Sequence, residues 1–337
     1  MQKLIDISSK TALVLIMLVV LAGSVVRMTG SGMGCPDWPK CFGYIIPPTE
    51  ESQVQFSPGK TYKKGQIIVW NESLQVAKDN FVAGDSFSES DWEKYTKHDY
   101  AIFNATHTWI EYINRLLGAL SGFPVLFLFG LSIFQFKKDK ILFLLAGFTL
   151  FFLGFEAWLG KVVVDGNLVP GQITIHMLGA LIIMALLVII INRNAGQNKT
   201  LVSKKLKGLV LLGLFLTLIQ ILMGTNVRES VDELVKLNIE RTSIINNLSF
   251  NYYFHRSFSL IVLALNVYLF FGFKKEQIQM PYINIVLILI ALEILMGVIF
   301  NYISFPKQMQ PPHLIIGFLL FAAQLKIFIG VHSNERK

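Results

Sequence analysis

The sequence predicts an all-α integral membrane protein, with eight transmembrane helices arranged as two parallel-repeat four-helix bundles. Three observations carry this. The 337 residues are 53% hydrophobic and only 15% charged, outside the range of soluble domains. The apolar residues gather into eight runs long enough, or nearly so, to cross a hydrocarbon core of roughly 30 Å. Short motifs in the first four runs recur, in the same order, in the last four.

The spans are placed at 10–27, 107–134, 141–164, 172–192, 208–227, 253–273, 282–303 and 311–330. The first run has a longer apolar core than a cleaved signal peptide and a repeat counterpart in the fifth, so a retained span is expected. The net charge of +8 is not a nucleic-acid signal, because the basic residues between spans fall mainly on one side. Lys3 and Lys10 flank the first span; Lys137, Lys138 and Lys140 link the second and third. Arg193, Lys199, Lys204, Lys205 and Lys207 link the fourth and fifth; Lys274 and Lys275 link the sixth and seventh. Arg336 and Lys337 follow the last. Short basic loops stay in the cytoplasm, so both termini are expected inside a bacterial-type cytoplasmic membrane and the long stretch 28–106 outside. Lipid is the implied surroundings; nucleic acid is not a partner.

The repeat rests on four matches. Gly23-Ser24-Val25-Val26-Arg27 parallels Gly224-Thr225-Asn226-Val227-Arg228, and Asn114-Arg115 parallels His255-Arg256. Glu156-Ala157-Trp158-Leu159-Gly160 parallels Glu293-Ile294-Leu295-Met296-Gly297, and His176-Met177-Leu178-Gly179 parallels His313-Leu314-Ile315-Ile316. Four spans per repeat make the halves parallel. The expected domains are a first bundle, 1–192, carrying the outer stretch 28–106, and a second, 193–337.

On this topology His107, His176, His255 and His313 sit near the outer starts of the even-numbered spans. A lone intramembrane histidine is often a structural hydrogen-bonder. Paired imidazoles across a bundle are what a haem iron needs as axial ligands, so His176, His255 and His313 are read as iron ligands. Glu111 is an ionisable group inside the first bundle, hence a functional candidate, on one helix face with His107. Tyr252 stands at the equivalent place in the second half. This asymmetry suggests chemistry in the first half and a bound cofactor in the second. Glu156 and Glu293 lie within spans and read as packed, hydrogen-bonded groups or as a proton route. Arg27, Arg115, Arg228 and Arg256 suit haem propionates, or simply snorkel.

Cys35 and Cys41 lie in the outer stretch, where disulfides persist; free thiols and a partial metal site are the alternatives. Trp38, Trp70 and Trp92 mark a stretch that caps the pocket or covers the bundle. His98 and His332 are expected in solvent, and the connection 228–252 is expected to hold a short helix.

The run Arg27-Met28-Thr29-Gly30-Ser31-Gly32-Met33-Gly34-Cys35-Pro36-Asp37-Trp38-Pro39 closely resembles the segment after the first span of haem A synthases. The resemblance extends over nearly the whole chain. It implies oxidation of a methyl group of haem O to formyl by successive hydroxylations, with haem b as cofactor, supplying haem A to terminal oxidases. It implies His255 and His313, with Arg256, at the cofactor haem. His107, His176, Asn114 and Arg115 would belong to the substrate haem, and Glu111 would be the acid of the family's Glu-x-x-His-Arg motif. Haem O synthase (protohaem farnesyltransferase) and a terminal oxidase are implied partners, and a homo-oligomer is compatible with the reading. One position departs from the pattern: Asn114 stands where the family usually has His. His107 is roughly 10 Å away along the helix at about 1.5 Å per residue, so either it ligates a shifted haem or His176 holds the iron alone.

Two rivals remain at this level. A di-haem electron-transfer cytochrome would show a b-type spectrum without transforming haem. A transporter of parallel repeats would use the histidines and glutamates as a proton relay and bind no haem.

Overall fold

The computed structural model describes residues 1–166, 171–196 and 199–333; Arg336 and Lys337 lie outside them. Among the described residues, eight helices are long and apolar enough to cross a membrane. They are α1 (Gln2–Thr29), α2 (Ala105–Phe134), α3 (Lys140–Asp165), α4 (Gln172–Asn194), α5 (Lys204–Lys236), α7 (Phe250–Lys275), α8 (Pro281–Tyr302) and α9 (Gln310–Gly330). The protein is thus a helical integral membrane protein. The largest departures from the expected bounds are at α1, which starts eight residues earlier, and α5, which runs nine residues further. Both extensions are polar helix that a hydropathy pattern does not register. The connection after α5 holds the expected short helix, α6 (Ile244–Asn247).

The chain divides into two compact units. One comprises Met1–Leu21, Ser121–Leu153 and Met177–Lys337. Within it, α5 packs against α7 and α9, and α8 against α7 and α9, closing a four-helix ring. Val210, Val262, Leu269, Val286, Ile290 and Ala323 fill its core. A buried polar bridge crosses that core: Gln324 Nε2 donates to Asn266 Oδ1 at 3.1 Å. Ser203 caps α5 by accepting from the Leu206 N–H, satisfying one of the otherwise orphaned first-turn donors. Ile5, Ala12, Ile16, Val125, Leu128, Leu142, Ala146, Ile183 and Leu187, from α1–α4, form a second core.

The other unit comprises Ala22–Leu120 and Gly154–His176. It contains strands that hydropathy did not reveal: β1 (Thr61–Tyr62), β2 (Ile67–Trp70), β3 (Ser73–Ala77), β4 (Phe81–Val82) and β5 (Trp92–Lys94). The antiparallel hairpin β2–β3 pairs Trp70 with Ser73 and Ile67 with Val76. Asn71 and Glu72, both at positive φ, make its two-residue turn, the geometry that matches strand twist. Tyr62, Trp92, Phe56, Trp70, Phe81 and Phe87 gather in an aromatic cluster. These rings give a short polar stretch enough apolar area to fold. A further parallel pair, β6 (Thr200–Val202) with β7 (Val331–Ser333), joins the start of α5 to the end of α9 in the first-described unit.

Candidate functional site

Two histidine-bearing sites are present, each inside one unit. In the four-helix ring, His255 on α7 and His313 on α9 face each other with ring centroids 6.5 Å apart and planes at 83°. An iron held at about 2 Å by a nitrogen of each ring, with about 1.1 Å from nitrogen to ring centre, would set the centroids about 6.2 Å apart. The pair therefore fits one metal centre. Gly224 on α5 makes room for it: a Cβ there would lie 3.1 Å from His255 Cε1. Gln220 Nε2 donates to the His255 carbonyl at 3.0 Å, and the His255 Nδ1 is buried without a hydrogen-bond partner. The His313 Nδ1 meets the Glu293 carboxylate of α8, which leaves its Nε2 to face a ligand. Phe300 packs edge-on against the His313 ring. Arg256 lies over Tyr252 and Tyr253, and the Tyr252 hydroxyl donates to Asn301 Oδ1 at 2.8 Å.

The second site, in the loop-bearing unit, is built on α2, α3 and the start of α4. Glu111 is 4% exposed. Its Oε2 accepts from the Cys35 N–H at 2.9 Å, and its Oε1 meets the Arg115 guanidinium one turn on. Arg115 also donates to the carbonyls of Asp37, Lys40 and Cys35 at 2.6, 2.9 and 3.2 Å. One guanidinium thus fastens the acid and the loop between α1 and α2 together. The loop comes this close because of Gly34, where a Cβ would stand 2.6 Å from the His107 backbone. Thr108 Oγ1 donates to the Gly34 carbonyl at 2.7 Å, completing the seam. Cys35 and Cys41 form the expected disulfide.

His176 meets the Glu156 carboxylate through Nδ1, as His313 meets Glu293. Asn114 lies beside Gly23, whose Cβ would be 3.7 Å from its Oδ1, and that Oδ1 is buried without a hydrogen-bond partner. His107 is fixed through its backbone, its N–H donating to Asn104 Oδ1 at 3.1 Å. No hydrogen bond, ion pair or ring contact brings its ring to Glu111, Asn114 or His176 among the described residues.

The loop residues around the site are drawn inward. His98, expected in solvent, is half-buried, its Nε2 3.0 Å from the Pro36 carbonyl and its ring against Tyr95; His332 is exposed as expected. Burial pushes the Asp37 carboxyl above its usual range, opposed by the Gly43 N–H and the Arg115 guanidinium. Among the described residues, no group of three or more His, Cys, Asp or Glu side chains could cage a bare metal ion. The donor sets are imidazoles, which suit a metal that brings its own equatorial ligands.

The sequence pattern did not assign the carboxylate partners of His176 and His313. The signal was available: each glutamate precedes its histidine by 20 residues, from Glu156 to His176 and from Glu293 to His313.

The family model of the Cytochrome oxidase assembly protein matches residues 9–83 and 85–325. Three relatives carry the name "Heme A synthase". The one from Shewanella oneidensis is 26% identical over 218 residues, covering 64% of this chain and 54% of that protein. The one from Flavobacterium johnsoniae is 25% identical over 350 residues, covering 92% of each. The one from Wolbachia pipientis is 24% identical over 338 residues, covering 93% of this chain and 88% of that protein.

Proposed function

For a chain that belongs to the Cytochrome oxidase assembly protein family, we propose the activity of a membrane haem A synthase. The enzyme oxidises a methyl group of haem O to a formyl group by successive hydroxylations, giving haem A for terminal oxidases. The observation that carries the reading is the pair of unlike sites. One presents two facing imidazoles 6.5 Å apart. The other presents one imidazole, an asparagine and a buried acid held by two donors.

The resident cofactor is a haem, and in this proposal haem b. His255 and His313 would hold its iron, with Arg256 near a propionate; bound there, it supplies one-electron transfer. His176 would hold the iron of the substrate haem O. By analogy with His255, Asn114 would line the opposite side of that site; a neutral amide is a poor iron ligand, which would suit oxidative chemistry on the substrate. His107 would border the substrate through the loop seam. The substrate's farnesyl tail favours entry from the hydrocarbon.

Glu111 takes up or relays a proton as the methyl carbon is oxidised, a role that requires hydrogen-bond reach. The Cys35 N–H and Arg115 hold its carboxylate in one orientation. The fastened loop covers the acid from water. The halves 1–192 and 193–337 are read as parallel four-helix repeats, with both termini cytoplasmic and 28–106 outside. Two parallels support this: Gly23 lies against Asn114 as Gly224 lies against His255, and Glu156 reaches His176 as Glu293 reaches His313. Haem O synthase is the plausible upstream partner and the terminal oxidase the downstream one; a homo-oligomer fits the same architecture.

The test is to purify the protein from cells with and without a haem O supply and to identify extracted haems by mass. The enzyme yields hydroxylated and formyl products. Bound haem without these products would make the protein an electron-transfer cytochrome instead.

A further inference from the structure

We infer that Glu156 and Glu293 are positioning residues that set the ring orientation and donor strength of His176 and His313. This rests on the haem-binding reading above and extends it to two residues on separate helices that would touch no iron. Both carboxylates meet the Nδ1 of a histidine 20 residues downstream. Both lie inside apolar helices, with side chains 9% and 16% exposed.

A ring whose Nδ1 meets a carboxylate carries its proton there. Its Nε2 then presents a lone pair, in one tautomer and one orientation. The carboxylate also draws on that N–H and makes the imidazole a stronger donor, which favours the oxidised metal. The other oxygen of each group, Oε1 of Glu156 and of Glu293, is buried with no hydrogen-bond partner among the described residues. Gly317, one turn after His313, leaves space there, since a Cβ would lie 3.6 Å from Glu293 Oε1. The two ligands of the second-half haem are therefore unequal. The His313 Nδ1 meets a carboxylate, whereas no ion pair brings a carboxylate to the His255 ring among the described residues.

The experiment uses the purified full-length chain with no haem O supplied. It measures haem content, the midpoint potential and the ferric electron paramagnetic resonance of wild type and Glu293→Gln. The inference expects full haem content and altered g values. It expects the oxidised-to-reduced equilibrium to shift about threefold to tenfold toward the reduced form, a factor of ten being about 59 mV for one electron. Glu156→Gln is expected to leave that potential unchanged and to alter only the spectrum of added haem O. Glu293→Met, apolar and of similar length, carries the same test if the Gln variant fails to accumulate. Haem-loaded variants with wild-type potential and g values overturn the inference while leaving the proposed function standing. A wild type that binds no haem overturns the proposed function itself.

Discussion

In the four-helix ring, the residue beside the α5 glycine is His255, facing a second imidazole at 6.5 Å. In the loop-bearing unit, the residue beside the α1 glycine is Asn114. Three residues before each stands another contrast. Glu111 is buried and held by Cys35 and Arg115, while its counterpart Tyr252 spends its hydroxyl on Asn301. The carboxylate–histidine pairs on the remaining helices are alike. On the proposed reading, a duplicated plan would have kept an iron-facing histidine in both halves and diverged on the opposite helix. Two imidazoles suit a metal that only exchanges electrons. One imidazole with an acid at hand suits a metal whose porphyrin is itself transformed.

The sharpest way to break this comparison is at the acid. Glu111→Gln is expected to lower haem A formation by about 10²–10⁴-fold, the range of a lost general acid or base, with resident haem unchanged. Tyr252→Phe, at the matching place, is expected to change product yield by less than about threefold, because a tyrosine hydroxyl spent on Asn301 supplies no general base. Comparable losses in both would erase the distinction between the halves.

The disulfide loop fastens only the acid-bearing site. Replacing Cys35 and Cys41 together with Ser is expected to cost about 2 kcal/mol of stability, from the entropy of closing so short a loop. Activity should fall with it, because the Cys35 N–H orients Glu111. Thermal unfolding and product yield in the same preparation check both.

The paired glycines offer a finer contrast. Gly224→Ala places a methyl 3.1 Å from the His255 ring, closer than ordinary contact. Resident haem affinity is expected to drop about tenfold, which corresponds to about 1.4 kcal/mol. Gly23→Ala meets Asn114 at 3.7 Å, ordinary van der Waals contact, and should leave haem O binding unchanged. Titration of the two variants with their haems compares them directly.

The smallest expected change is spectroscopic. Asn114→His is expected to turn the bound haem O spectrum toward the low-spin form of the resident haem. An unchanged spectrum would mean that residue 114 does not face the substrate iron.

Much of this was legible in the residues. The eight spans follow from hydropathy, because a bilayer demands long apolar helices and tolerates little else. Cys35 and Cys41 were legible from their place outside the first span. Other features were not. The strands between α1 and α2 are short and owe their stability to rings from Phe56 to Trp92 that meet only in three dimensions. Arg115 read as a propionate ligand or a snorkelling side chain; its hydrogen bonds to three loop carbonyls and its contact with Glu111 were not legible, because a local motif does not reveal a partner some eighty residues earlier. Glu156 and Glu293 read as hydrogen-bonded packing groups or a proton route; their partners were not named because the histidines lie on the next helix, and only the equal spacing hinted at the pairing.

Pigment stoichiometry in protein purified from cells that make haem O is the most direct measurement. One unmodified b-type haem per chain is expected, lost in His313→Ala. A second porphyrin carrying the farnesyl tail is expected as well, lost in His176→Ala while the first remains. Two interchangeable haems, or one variant that empties both sites while the protein stays folded, would contradict that expectation.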